Sequence, residues 1–179
     1  MQNREHPTLE STGRQPGIRE TRAVGSLHIR RYAPGDKHAV RRLHDDALNE
    51  VGAHLGRGLW DEDLDEIEGF YLKSGGEFLV GVLDGEVVAM GALRRISRET
   101  AEIKRMRVKP GLQGRGYGQT LLDALHRCAA ELGYSTLRLD TTMQQRAARR
   151  LYIKNGYREV RRGSIGPFEC VFYERDAVA

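Results

Sequence analysis

The run Gln113-Gly114-Arg115-Gly116-Tyr117-Gly118 sets glycines at alternate positions beside one cation, between an extended run ending Met106-Arg107-Val108-Lys109-Pro110 and a helix-patterned run beginning at Gln119. Strand, glycine loop and helix in that order make an anion cradle. Glycines let successive backbone N–H groups converge without Cβ clashes, and the following helix adds the positive end of its dipole. The predicted ligand therefore bears phosphate. The loop lacks the Gly-Lys-Ser/Thr ending of a P-loop, and glycines at 114, 116 and 118 do not fit the G-x-G-x-x-G dinucleotide spacing. Nucleotide hydrolysis and NAD binding are both disfavoured.

The elements that must position this loop can be read from periodicity. Met1 to Gly25 is polar, contains Pro7, Gly13, Pro16 and Gly17, and has no period, so residues 1–25 are expected to form a flexible arm ahead of a single domain over 26–179. Leu27, Ile29 and Arg31 alternate as a first strand; Pro34-Gly35-Asp36 turns the chain and offers Asp36 as an N-cap. Apolar residues then recur at helical spacing from Lys37 to Val51 and again at Leu64, Ile67 and Tyr71, predicting two amphipathic helices. Phe78–Leu83 and Val87–Leu93 read as a hairpin through Asp84-Gly85, because a type I′ turn needs two positive φ angles. Ala101–Val108 gives a further strand. A helix carrying Leu121, Leu122, Leu125, Cys128, Ala129 and Leu132 stops at Gly133, and Leu137–Thr141 is a strand. A last helix through Ala148, Leu151 and Tyr152 ends at Asn155-Gly156, before strands at Tyr157–Arg161 and Phe168–Tyr173. This is a mixed α/β order.

Two motifs resemble one family. Gln113-x-x-Gly116-x-Gly118 resembles the acetyl-CoA pyrophosphate loop of the GNAT superfamily of N-acetyltransferases, and Ala148-x-x-Leu151-Tyr152-x-Lys154-x-Gly156-Tyr157 resembles its closing Ala-x-x-Leu-Tyr-x-x-x-Gly-aromatic pattern. The resemblance runs from about Leu27 to Tyr173. It implies a central twisted, mixed, mostly antiparallel sheet with helices on both faces. It also implies direct transfer of an acetyl group from acetyl-CoA (coenzyme A) to a primary amine of a small molecule, peptide or protein.

The same resemblance assigns roles. Tyr152 matches the tyrosine that sits near the coenzyme sulfur and protonates the departing thiolate; its structural alternative is a core aromatic at helical spacing. A lowered phenol pKa would ease that transfer. Glu102 matches the basic glutamate of the histone-acetylating branch. Alternation puts Glu102, Lys104, Met106 and Val108 on one face, where Lys104 could equally hold Glu102 in a structural ion pair. Met106, Arg107 and Val108 would offer backbone to the pantetheine arm where two strands splay apart. Gln113, Gly114, Arg115, Gly116, Tyr117, Gly118 and Gln119 would take the pyrophosphate. Gln145 stands where the family often has a cofactor-contacting asparagine; it is longer, which puts that contact in doubt.

Composition narrows the class further. A net charge of +4 comes from scattered basic residues with 25 acids interleaved, which suits an anionic cofactor better than nucleic acid. The acids Asp61, Glu62, Asp63, Asp65, Glu66 and Glu68 read as a solvated helix face, with attraction of a cationic amine as the lesser reading. Cys128 and Cys170 have no metal or disulfide spacing and read as buried thiols; no metal site is expected. No run approaches the roughly 20 apolar residues of a membrane span, so a soluble, cytoplasmic protein is expected. Dimers are frequent in the family, making a homodimer one expected assembly. Three alternatives remain open: an acyltransferase with another acyl donor or an oxygen acceptor, a catalytically inactive coenzyme-binding module, and an RNA-binding module. The last rests on Arg115-Gly116-Tyr117-Gly118, half of an RNA-recognition signature whose aromatic second half is missing.

Overall fold

The structure is a computed structural model that describes residues 26–50, 52 and 59–177; the expected arm at 1–25 and Val51 lie outside them. The elements run β1 (His28–Arg31), α1 (Lys37–Glu50), a 3-10 segment (Leu59–Leu64), a π turn (Glu68–Leu72), β2 (Glu77–Leu83), β3 (Glu86–Arg95) and β4 (Thr100–Val108). There follow α2 (Tyr117–Glu131), β5 (Thr136–Thr142), α3 (Arg146–Lys154), β6 (Arg158–Ile165) and β7 (Phe168–Asp176). The seven strands form one sheet in the order β1-β2-β3-β4-β5-β7-β6, antiparallel at every pairing except β4 with β5. The β2–β3 turn has φ of 50° at Asp84 and 82° at Gly85, the paired positive angles that the dipeptide predicts.

Each face of the sheet buries its own core, which is why helices lie on both. Under α2 and α3 lie Leu79, Ala89, Leu93, Ala101, Ile103, Leu137 and Leu139, packed against Leu121, Leu122, Leu125 and Tyr152. On the opposite face Val40 and Leu43 of α1 meet Phe78, Val80, Met90 and Ala92, with Leu64, Ile67 and Tyr71 completing the cluster. A fully buried Leu or Ile contributes roughly 1.5–3 kcal/mol, so both clusters hold their helices firmly.

Three local expectations need correction. Asp36 ends a short 3-10 turn, and its carboxylate accepts from the Ala33 N–H (2.9 Å) and from both Nη atoms of Arg30 rather than capping α1. The segment 59–72 is not an α-helix, although Leu64, Ile67 and Tyr71 are buried as their spacing requires. Residues i and i+2 of an α-helix do not face each other, whereas Asp61 and Asp63 must both reach Arg105; 3-10 winding brings them closer. Arg115–Gly118 is loop and helix start, not a strand, so the RNA-recognition arrangement is not formed.

A further correction, in β4, is the most consequential, because it decides which side chains face the site. Opposite Gly91 of β3, β4 carries two residues, Arg105 and Met106: the register steps from Ala92↔Lys104 to Met90↔Arg107. This is a bulge, and Arg105 takes the left-handed conformation, φ 57°. An extra residue reverses alternation beyond it. Met106 and Val108 consequently pack with Ala101 and Ile103 on the α2 side, while Glu102 and Lys104 lie on the other face. A Cβ at Gly91 would fall 2.8 Å from Met106 Sδ and 2.9 Å from Leu125 Cδ1, so the flipped Met106 fits under α2 only because position 91 has no side chain.

Candidate active site

Parallel β4 and β5 pair at three positions only, ending at Glu102↔Arg138. Beyond that point β4 stays with β3 to Val108 and β5 stays with β7 to Thr142↔Cys170. A wedge opens between them, and the edge that β4 turns toward β5 has no strand partner from Ile103 onward. Buried backbone polar groups are seldom left unpaired, so the wedge is a ready place for an amide-bearing chain. An open cavity of about 450 Å³ lies at its base, lined by Glu102, Arg138, Leu139, Phe172 and Glu174 among others.

The glycine loop follows directly from β4. Gly114 and Gly116 have φ of 76° and 88°, and Gly116 is the N-cap of α2 with no side-chain cap. The helix ladder begins with Thr120 N–H donating to Gly116 O at 3.0 Å, so the N–H groups of Tyr117, Gly118 and Gln119 precede it and point out of the helix start. Arg115 is exposed beside them. This arrangement fits a pyrophosphate. Other loop side chains are engaged within the fold: Gln113 Nε2 donates to Glu50 (2.7 Å), and Gln119 exchanges hydrogen bonds with Asn155, tying α2 to the end of α3. Gln145 accepts from Thr141 Oγ1 at 2.8 Å and its backbone N–H donates to Thr142 O at 3.1 Å, leaving the side-chain Nε2 available.

Tyr152 is 4% exposed, on the α2 side of the wedge among Tyr157, Tyr173 and Leu139. Burial pushes its phenol up to about 12, against the lowering effect of the Arg107 charge and with a further rise from Asp140. The phenol is thus held neutral rather than acidified. Against a thiol near 8.5, full proton transfer is uphill by roughly 5 kcal/mol, so its chemistry is hydrogen-bond donation to developing charge.

Glu102 sits at the last β4–β5 pair, and its first partner is not the one expected. Its cross-strand neighbour Arg94 reaches Oε2 at 2.6 Å, while Lys104 Nζ is 3.8 Å away. The structure therefore separates the two sequence candidates: Tyr152 lies on the α2 face and Glu102 on the other. The charges that act on Tyr152 are instead Arg107 and Asp140. Asp140 carries no motif, and only the fold brings it here.

The acid run also divides. Glu62, Asp65 and Glu66 are exposed as expected, but Asp61 and Asp63 are 7% and 5% exposed. Arg105 donates to Asp63 Oδ2 at 2.9 Å and to Asp61 Oδ1 at 3.0 Å; Tyr71 also donates to Asp63, and His44 Nε2 lies 3.1 Å from Asp61. Burial pulls Asp63 upward, yet hydrogen bonds and charge from Arg105 outweigh it and leave the carboxyl below its usual range. No sequence spacing links position 105 to 61 and 63, so this network was not legible.

Comparisons with known proteins identify the family. The sequence profile of the Acetyltransferase (GNAT) family matches residues 37–157, more than half of the chain. The chain belongs to the GNAT acetyltransferase family, whose acyl donor is acetyl-CoA. It is 26% identical over 149 residues to an uncharacterized N-acetyltransferase, YjgM, of Escherichia coli K12, covering 79% of this chain and 89% of that one. It is 36% identical over 100 residues to N-acetylaspartate synthetase of Danio rerio, covering 55% of this chain and 36% of that protein. The chain thus spans about a third of the length of the curated N-acetylaspartate synthetases that it matches. A GNAT acetyltransferase of Staphylococcus aureus Mu50 superposes with a TM-score of 0.77 at 26% identity over 85% of this chain and 99% of that one. The yncA acetyltransferase of Salmonella typhimurium, solved with acetyl-CoA, shares the fold with a TM-score of 0.69 at 20% identity over 84% of this chain and 94% of that one.

Proposed function

We propose that this protein transfers the acetyl group of acetyl-CoA directly to a primary amine. The observation that carries the reading is the β4–β5 wedge, with the open N–H groups of the α2 start at its head and buried Tyr152 at its side. Bound acetyl-CoA supplies an activated thioester. The loop and the first turn of α2 hold its pyrophosphate, with Arg115 adding charge. Backbone of Met106, Arg107 and Val108 orients the pantetheine arm and donates to the carbonyl oxygen as negative charge grows there. Tyr152 donates its hydroxyl hydrogen bond to the sulfur as the bond to it breaks.

An amine acceptor is supported by the relatives, one of them named for an N-acetylated amino acid and another as an N-acetyltransferase. An alkyl ammonium of pKa about 10 must lose a proton before attack, so a base or water relay acts on the acceptor side. Glu102 is one candidate and Asp140 another.

Calorimetric titration with acetyl-CoA, with desulfo-coenzyme A as control, tests the cofactor site; thiol release across an amine panel then tests transfer. Micromolar binding with thiol release supports the reading. Binding without release on any acceptor would instead favour a coenzyme-sensing module, and release with other acyl thioesters only would reassign the donor.

A further inference from the structure

The wedge contains a cation that the fold does not neutralise. Arg107 stands on β4 beyond the last β4–β5 pair, on the face opposite α2, as its cross-strand partner Met90 packs in the α1-side core. Its Nη1 donates to the Met106 carbonyl at 2.8 Å. Its Nε is buried without an acceptor, and among the described residues no carboxylate lies within 4.0 Å of the guanidinium. Its neighbours differ: Arg94 and Arg105 each hold a carboxylate. Thr142 Oγ1, at the end of β5 on the far side of the wedge, is also buried and unpartnered. Two buried, unpartnered groups thus stand on the two strands that border the gap in the sheet.

An unpaired buried guanidinium is costly unless an anion completes it. Burial, and next the like charge of Arg105, pull Arg107 down to about 10, with Tyr152, Asp61 and Asp140 offsetting part of that. On the acetyltransferase reading the anion is not a cofactor phosphate, because that reading gives the phosphates to the loop at 113–119, whereas Arg107 interacts electrostatically with Tyr152, which it sets at the thioester end, where the acyl donor is uncharged. The anion must arrive with the acceptor.

We propose that the acceptor is an amine bearing a carboxylate, as in a free amino acid, and that Arg107 is the group that binds this carboxylate, with Thr142 Oγ1 as a second donor. A guanidinium presents parallel N–H donors that match a carboxylate. Asp140 of β5, whose charge both Arg107 and Tyr152 feel, supplies the opposite sign that the acceptor's ammonium requires. The proposal rests on the acetyltransferase reading and narrows its substrate class.

The test is thiol release from acetyl-CoA by the full chain across free amino acids, their fully amidated counterparts, and putrescine and spermidine. The free amino acids should lead the amides by about 10- to 100-fold in kcat/KM, the usual discrimination of a charge-assisted contact. Arg107→Gln should erase that lead by raising KM for the carboxylate acceptors selectively, over and above any loss that all acceptors share through the Arg107 charge on Tyr152, and Arg107→Lys should restore part of it. A wild-type preference for amides or polyamines, or an Arg107→Gln loss shared equally by all acceptors, overturns the carboxylate assignment while acetyl transfer stands. Failure to bind acetyl-CoA or release thiol with any amine overturns the reading beneath it.

Discussion

The two ends of the wedge offer different kinds of group for recognition. At the loop end the donors are backbone N–H groups at a glycine-rich helix start, assembled from consecutive residues 113–119. At the other end the groups are side chains from distant stretches: Arg105 and Arg107 from β4, Asp61 and Asp63 from the 3-10 segment, Asp140 and Thr142 from β5. Backbone recognition requires particular φ values over a short run and so leaves a spacing in the sequence. Side-chain recognition requires long-range contact and leaves none. A shared cofactor can therefore be read from one chain where an individual acceptor cannot.

The largest expected effect lies at the side-chain end. Arg105→Ala removes the cation between buried Asp61 and Asp63 and should cost about 3–5 kcal/mol, read from the urea midpoint. Adding Asp63→Asn to Arg105→Ala should recover part of that loss; a fully additive pair would show that the network is not coupled. A strained left-handed arginine, at a cost of about 1 kcal/mol, is tolerable only if this pairing repays it, so an inert Arg105→Ala would break the contrast between the ends.

The loop end should fail differently, in binding rather than folding. Gly116 has φ 88° with open space where a Cβ would stand, so Gly116→Asp meets backbone strain and places a carboxylate beside the proposed pyrophosphate site. Calorimetry should show acetyl-CoA affinity reduced about 100-fold or more, consistent with loss of one charge-assisted contact plus like-charge repulsion. Gly116→Ala carries the strain alone and should lose less.

Tyr152→Phe comes next. Removing the hydroxyl should lower kcat by about 10- to 100-fold and leave the acetyl-CoA dissociation constant within twofold. Because burial holds the phenol near 12, the wild-type rate should show no falling limb from Tyr152 ionisation below pH 10. A descending limb near pH 8 that vanishes in Tyr152→Phe would mean that the cofactor acidifies it.

How far the sequence carried each part follows from the same contrast. The hairpin at Asp84-Gly85 and the α2 stop at Gly133 were legible, since each is local backbone chemistry at a positive φ, whereas the α2 start, read at Gln119, falls at Tyr117 behind the Gly116 N-cap. The bulge at Arg105 was not, because an arginine gives no warning of a left-handed residue, and missing it put Met106 and Val108 on the wrong face. The 3-10 winding at 59–64 escaped for a related reason: apolar spacing fits an α-helix, and only the reach of two aspartates to Arg105 disfavours it.

Acid sensitivity separates two smaller contributions. His126 bonds Tyr157 Oη through Nε2 (2.9 Å), and Arg175, which can only donate, faces Nδ1 at 3.2 Å. The ring is therefore neutral, and burial, then the Arg175 charge, pull it down to about 4. An unfolded histidine near 6.5 takes its proton first, so stability falls as pH drops from 6.5 to 4. Asp63 has the opposite chemistry and a lower window: its depressed carboxyl contributes fully above about pH 3.9 and is lost only as pH falls through its folded value. His126→Gln should flatten the urea midpoint between pH 6.5 and 4 without changing the steeper loss below pH 4.

Glu102→Gln should have the smallest effect, and it bears directly on the acceptor end. The carboxylate is held at 2.6 Å by Arg94 and approached by Lys104 at 3.8 Å, on the face away from Tyr152, so its charge is already committed to the sheet. With water or Asp140 taking the acceptor's proton, kcat/KM should fall less than about threefold and the rising limb of its pH profile should keep its midpoint. A shift of that limb by more than one unit would make Glu102 the base, and the wedge would then draw its proton acceptor from β4 rather than β5. Asp140→Asn measured in parallel decides between them: the base is whichever residue moves the limb, and if neither does, the proton leaves through water alone.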